Sequence, residues 1–159
     1  MTDYRALHPA TVHIPMGAWA LAFPLDLVAH FNSPHFWFVA SWLSVLGTAV
    51  AQFTWLVGFL DASRASRIDG NGVLITGHAA FVSLATCFYG VGAVMRLDGL
   101  APSSPPDWTV TLLDGAGFVT LLVGGWLGGK LTYARGVGVV IDGTDYTLKD
   151  GSPRPNTRF

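Results

Sequence analysis

"FWFVASWLSVLGTAVAQFTWLVGFL", residues 36–60, runs for 25 residues without a charged side chain. As a helix rising 1.5 Å per residue it would be about 37 Å long, enough for a hydrocarbon core of about 30 Å. A buried helix of a soluble domain normally keeps a polar face. This stretch has none, since its polar residues are scattered Ser, Thr and Gln. It therefore reads as a membrane-spanning helix, and the rest of the chain follows from it.

Three further stretches have the same character: residues 12–29, 73–95 and 108–133, the last interrupted by Asp114 and Lys130. Between them lie "HFNSP" (30–34), "DASRASRIDGNG" (61–72) and "RLDGLAPSSPPD" (96–107), which are short and rich in turn residues. The composition agrees. The chain of 159 residues is 51% hydrophobic and 12% charged, against about 25% charged in an average soluble domain. A net charge of −1 without a basic cluster argues against nucleic acid. Cys87 is the single cysteine, which excludes an intrachain disulfide and a cysteine metal cluster. The start, "MTDYRAL", lacks the features of a cleaved signal peptide, and none is expected.

The expected fold is all-α: an integral membrane four-helix bundle with up-down topology. Residues 1–135 form the transmembrane domain, and residues 136–159 form a polar tail. Within the tail, residues 137–151 alternate in a way that suits a short hairpin. Charge placement orients the bundle. Arg5, Arg64, Arg67, Lys130, Arg135, Lys149, Arg154 and Arg158 fall on the side of the N-terminus, and only Arg96 falls on the other. By the positive-inside rule both termini and the tail are expected in the cytoplasm of a bacterial cell, with the chain in its inner membrane. Trp37 and Trp108 near one face, and Trp55, Trp126 and Tyr133 near the other, suit aromatic belts.

Helix packing has its own signal. "GGWLGGK" pairs Gly124 with Gly128 and Gly125 with Gly129, spacings that let helix backbones approach closely. They serve either packing within the bundle or a contact between copies. Pro15 and Pro24 interrupt the donor ladder of the first span. An irregular start is expected there, one that turns His13 inward.

Up-down topology gathers ionisable groups at two ends. His8, His13, Asp61, His78, Lys130 and Tyr133 come to the cytoplasmic end, and Asp26, Arg96 and Asp114 to the other. Ionisable groups within spans are functional candidates. Imidazole suits iron, copper or zinc, and haem iron accepts axial histidines. If spans one and three lie diagonally, His13 and His78 can hold one flat b-type haem, with Asp61 orienting a ring. His8 then sits at a wet helix boundary, preceding Pro9. Asp26 and Arg96 are expected to form a structural ion pair. His30 and His35 flank a short loop and read as interfacial. The glycines of "GVGAVM" and "GVGVVIDG" make no phosphate-binding fingerprint, and no nucleophile elbow is present.

Taken together, "HPATVHIPMG" (8–17) with Asp26 downstream, "GFLD" (58–61), His78, Arg96 and "LGGKLTYARGVGV" (127–139) resemble an uncharacterised bacterial membrane family, domain of unknown function 2231. The resemblance covers about residues 7–139 and implies a four-helix integral membrane protein without implying a chemistry. Lys130 stands where the family pattern suggests an acidic or polar residue, so no carboxylate ligand is expected from that position. Some relatives look fused to a Rieske iron–sulfur domain, which implies redox company. Cys87 alone cannot supply the ligands of such a domain, so an iron–sulfur partner would be a separate polypeptide.

Three readings follow. One is an electron-transfer subunit with haem b between His13 and His78. A second is a non-catalytic accessory subunit of a larger membrane or redox complex, or a homo-oligomer. The third is a divalent-metal site built from His8, His13, Asp61 and His78. No nucleophile or general-base constellation points to an independent enzyme.

Overall fold

A computed structural model describes residues 7–65, 72–97 and 100–134. They form four helices: α1 (Leu7–Phe31), α2 (Pro34–Ala65), α3 (Gly72–Arg96) and α4 (Trp108–Gly129), the last prolonged by a π-helical turn over Lys130–Ala134. There is no strand among the described residues. All four helices are long and apolar enough to cross a membrane. Their side chains are distributed the opposite way from a soluble bundle. Leu21, Leu46, Val94 and Leu112 are exposed, while Asp26, Arg96 and Asp114 are buried. An apolar surface on that scale faces lipid, not water. The protein is a multi-pass membrane protein.

The helix ends follow from local chemistry. Ser33 precedes α2, its hydroxyl accepting from the His35 backbone N–H, and Pro34 occupies the first helical position, where its missing donor costs nothing. Asp107 caps α4, its carboxylate accepting from the backbone N–H of Thr109 at 2.7 Å and Val110 at 3.3 Å. Pro105 and Pro106, just before that cap, keep the chain from extending the helix backwards. Lys130 lays its ammonium over the Trp126 ring at 3.7 Å from its centre.

One expectation is corrected. α1 does not start irregularly; it runs unbroken from Leu7 through both prolines to Phe31. Membrane helices tolerate internal proline because neighbouring elements re-satisfy the freed backbone groups.

α1 packs most extensively on α2, and α3 on α4, with the α2–α3 and α1–α4 contacts closing the ring. The diagonal between α1 and α3 is bridged in the middle of the bundle. Trp19 and Tyr89 stack at 4.6 Å with an interplanar angle of 1°, and the Tyr89 hydroxyl donates to the Trp19 carbonyl at 3.0 Å. Two glycines make room for this pair. A Cβ on Gly117 would lie 2.8 Å from the Tyr89 ring, and one on Gly47 would lie 2.9 Å from Ala18 and 3.2 Å from Trp19. The tail, the hairpin expected in it, and the side chains of Arg5, Arg64, Arg67, Arg135, Lys149, Arg154 and Arg158 lie outside the described residues.

Candidate functional site

Two polar centres occupy the two ends of the bundle. At the end formed by the α1–α2 turn, Arg96 is buried among groups from all four helices. Its Nη2 donates to Asp26 on α1 at 2.5 Å and to Asp114 on α4 at 2.8 Å, and its Nη1 donates to Ser41 on α2 at 3.0 Å. The guanidinium also lies 4.2 Å from the centre of the Trp37 ring. The expected Asp26–Arg96 ion pair is thus present, widened by Asp114 into a triad. Gly92 is needed for it, because a Cβ there would sit 2.6 Å from Asp114 Oδ1. Beside the triad, His30 stacks on Trp108 at 3.7 Å, and its Nε2 and the Thr111 hydroxyl are 3.0 Å apart. One planar, permanently charged fork joining four helices is an effective cross-link in a low-dielectric interior.

The opposite end holds the histidines. His78 on α3 points at α4, where its Nδ1 lies 2.8 Å from the Gly124 carbonyl. Its ring fills a notch over Gly128, whose Cβ, if present, would come within 2.9 Å of His78 Cε1. His8 on α1 does the same against α2. Its Nδ1 lies 3.2 Å from the Thr54 carbonyl, and its ring rests on Gly58, where a Cβ would come within 2.6 Å. A carbonyl oxygen only accepts, so Nδ1 is the donor in both rings. In a neutral imidazole Nε2 then carries the lone pair. Both rings line one cavity of about 40 Å³ to which all four helices contribute, with Met16, Thr54, Leu121 and Gly125 among its walls.

The structure divides the expected site residues. His78 faces the bundle interior. His8, expected at a wet boundary, is the residue of α1 that joins it. His13 is exposed. The two lie five residues apart on a continuous helix, which separates them by about 140°, so turning His8 inward turns His13 out. Asp61 belongs to α2, one turn beyond Gly58, and its side chain lies outside the described residues. His35 is exposed on the first turn of α2.

The glycines divide too. Gly124 packs on Val82 and Gly128 on His78, both of α3, while Gly125 faces Met16 of α1 at 3.5 Å. Among the described residues, a Cβ on Gly129 would meet only Tyr133 of its own chain segment. The residues that sequence reasoning missed are chiefly the notch formers: Gly47, Gly58, Gly92 and Gly117.

A haem does not fit this geometry. The His13–His78 pair is not formed, and a cavity of about 40 Å³ is far below the roughly 300–1,000 Å³ of sites for larger organic ligands. It exceeds the roughly 10–15 Å³ that one water needs, so it suits a single small ion. Nor do three or more His, Cys, Asp or Glu side chains converge among the described residues. A tetrahedral zinc site built from such ligands is therefore not present among them.

A family model described as a predicted membrane protein, DUF2231, matches residues 4–141. The chain belongs to this family. No curated protein and no solved structure matches it. Membership in DUF2231 agrees with the membrane fold and leaves the chemistry to be argued from the side chains.

Proposed function

We propose that this DUF2231 protein is a metal-binding protein of the bacterial cell membrane that holds one soft monovalent ion, copper(I), between His8 and His78. The observation that carries this reading is the shared cavity of the two rings, each with Nδ1 tied to a carbonyl of the neighbouring helix. Metal-ligating histidines commonly donate the other ring N–H to a carbonyl or carboxylate, which fixes the tautomer and aims the ligating nitrogen. Imidazole suits copper and zinc, and a thioether shifts the preference toward copper(I). Met16 supplies such a sulfur to the cavity wall. Copper(I) also tolerates low coordination numbers, which suits two imidazoles and one thioether better than zinc does. A copper centre is compatible with the redox company that the family resemblance implies. With the termini in the cytoplasm, the site lies at the cytoplasmic end of the bundle.

The protein purified in detergent, loaded with copper(I) or zinc and then desalted, tests the reading. One copper per chain is expected in the wild type and in His13→Ala, with little zinc retained. His8→Ala and His78→Ala should each retain less than about a tenth of the copper, the order of loss expected when a ligand or its orienting partner is removed. Wild-type protein that retains no copper would sink the proposal. Orientation is tested separately by reporter fusions after Ser66 and after Phe159, both expected to report the cytoplasm. A periplasmic signal at either would reverse the assignment.

A second prediction follows from the notch beneath His8. Gly58→Leu places side-chain atoms where the His8 ring lies and should abolish copper retention as fully as His8→Ala. Gly129→Leu, whose site meets nothing but Tyr133 among the described residues, should leave retention intact.

A further inference from the structure

Polar side chains within the spans mostly find partners inside the bundle. Trp55 Nε1 donates to Ser83 at 2.9 Å, and the Thr86 hydroxyl donates to the Val82 carbonyl at 2.9 Å. Gln52 on α2 does not. It is exposed, and its amide has no hydrogen-bond partner among the described residues. Its span covers Pro34–Leu60, which places Gln52 about 8 Å along the helix from the middle of the span. At that depth lipid offers no donor or acceptor, and an unsatisfied amide in hydrocarbon is strongly unfavourable.

Gln52 lies on one wall of an open groove of about 460 Å³ between α2 and α3. The facing wall carries Cys87, Gly90, Val91 and Val94, and no charged residue lines the groove among the described residues. Gly90 is open, since a Cβ there would meet nothing within 4 Å. That open face would otherwise meet lipid, and a second helix could approach it closely at Gly90.

We propose that this groove is the contact surface of a homodimer, in which the Gln52 amides of two copies hydrogen-bond to each other across a two-fold axis. A carboxamide is its own complement, with a carbonyl that accepts and an NH₂ that donates. A two-fold interface presents the same patch from both sides, so a second copy supplies the missing partner without any further chemistry. The uncharged remainder of the groove gives a charged partner helix nothing to pair with and gives an identical apolar wall a close contact at Gly90. The proposal is independent of the copper site, which lies inside the bundle.

The full chain in detergent and in reconstituted vesicles provides the test, because Cys87, in the same groove, reports on it. A short bis-maleimide should join two copies through Cys87, and sedimentation equilibrium should give a dimer. Gln52→Leu should raise the dimer dissociation constant by about tenfold, the scale of the two symmetry-related interhelical hydrogen bonds it removes. Gly90→Leu should remove both the cross-link and the dimer while leaving the thermal midpoint of the monomer unchanged. A wild-type monomer, or a dimer indifferent to both substitutions, would overturn the proposal. So would cross-linking in native membranes that joins Cys87 to a different polypeptide in place of a second copy.

Discussion

Replacing Arg96 with methionine should destabilise the bundle by about 3–5 kcal/mol, the scale for removing one partner of a buried ion pair. Arg96 is 2% exposed, and Asp26 and Asp114 are fully buried. Its guanidinium is the donor both carboxylates share, and it also reaches Ser41 and the face of Trp37. Without it, two carboxyl groups remain in a low-dielectric interior with no cation. Most of the loss is therefore the penalty of stranding those groups, not the net worth of the triad. The triple variant Arg96→Met, Asp26→Asn, Asp114→Asn removes the stranded charge and should recover most of the stability. Unfolding of each variant in mixed micelles, followed by circular dichroism, checks both statements. A single Arg96→Met variant as stable as the wild type would show that the triad does not hold the helices together.

Gly117→Leu should destabilise the protein by at least about 1–3 kcal/mol, the usual range for overpacking a well-filled core. The Cβ alone would come within 2.8 Å of the Tyr89 ring and 3.3 Å of Phe88 Cβ. Tyr89 has little room to yield. It is fully buried, stacked on Trp19 and tied by its hydroxyl to the Trp19 carbonyl. Gly17→Leu is the matched control, because a Cβ there meets nothing within 4 Å. It should change stability by less than about 0.5 kcal/mol, as surface substitutions do. Thermal midpoints in one detergent compare the two directly, and equal effects would show that glycine loss in these helices acts through backbone entropy, not through the Tyr89 contact.

The spans were legible because a long uncharged run has few alternatives. The four apolar stretches read from the sequence lie within α1 to α4 or run only into the π-helical turn after α4, and Asp26 and Asp114 inside them, with Arg96 just past the third, mark where the triad forms. Asp26 and Arg96 could be paired from topology alone, since each lies near the same end of its span. Which histidine faces inward was not legible. The prolines of α1 suggested an irregular start that would free His13, yet the helix is continuous. The choice of His8 is made by Gly58 and the Thr54 carbonyl on another helix. When nearly every residue of a helix is apolar, lipid and protein faces look alike, and no periodicity marks the notch that a side chain will fill. The same reason hid Gly47 and Gly117. In "GGWLGGK" the spacing showed, but one register, Gly124 and Gly128, faces α3, whereas Gly125 faces α1 and Gly129 faces no other helix among the described residues.

X-ray absorption at the copper edge of the copper(I)-loaded protein tests the central claim most directly, because it reads the ligands and not merely the uptake. The spectrum should show two imidazole nitrogens and one sulfur. Met16→Leu should lose the sulfur and keep the imidazoles, and His13→Ala should leave the spectrum unchanged. A spectrum without imidazole scattering, or one that survives His8→Ala unaltered, would contradict a copper site between His8 and His78.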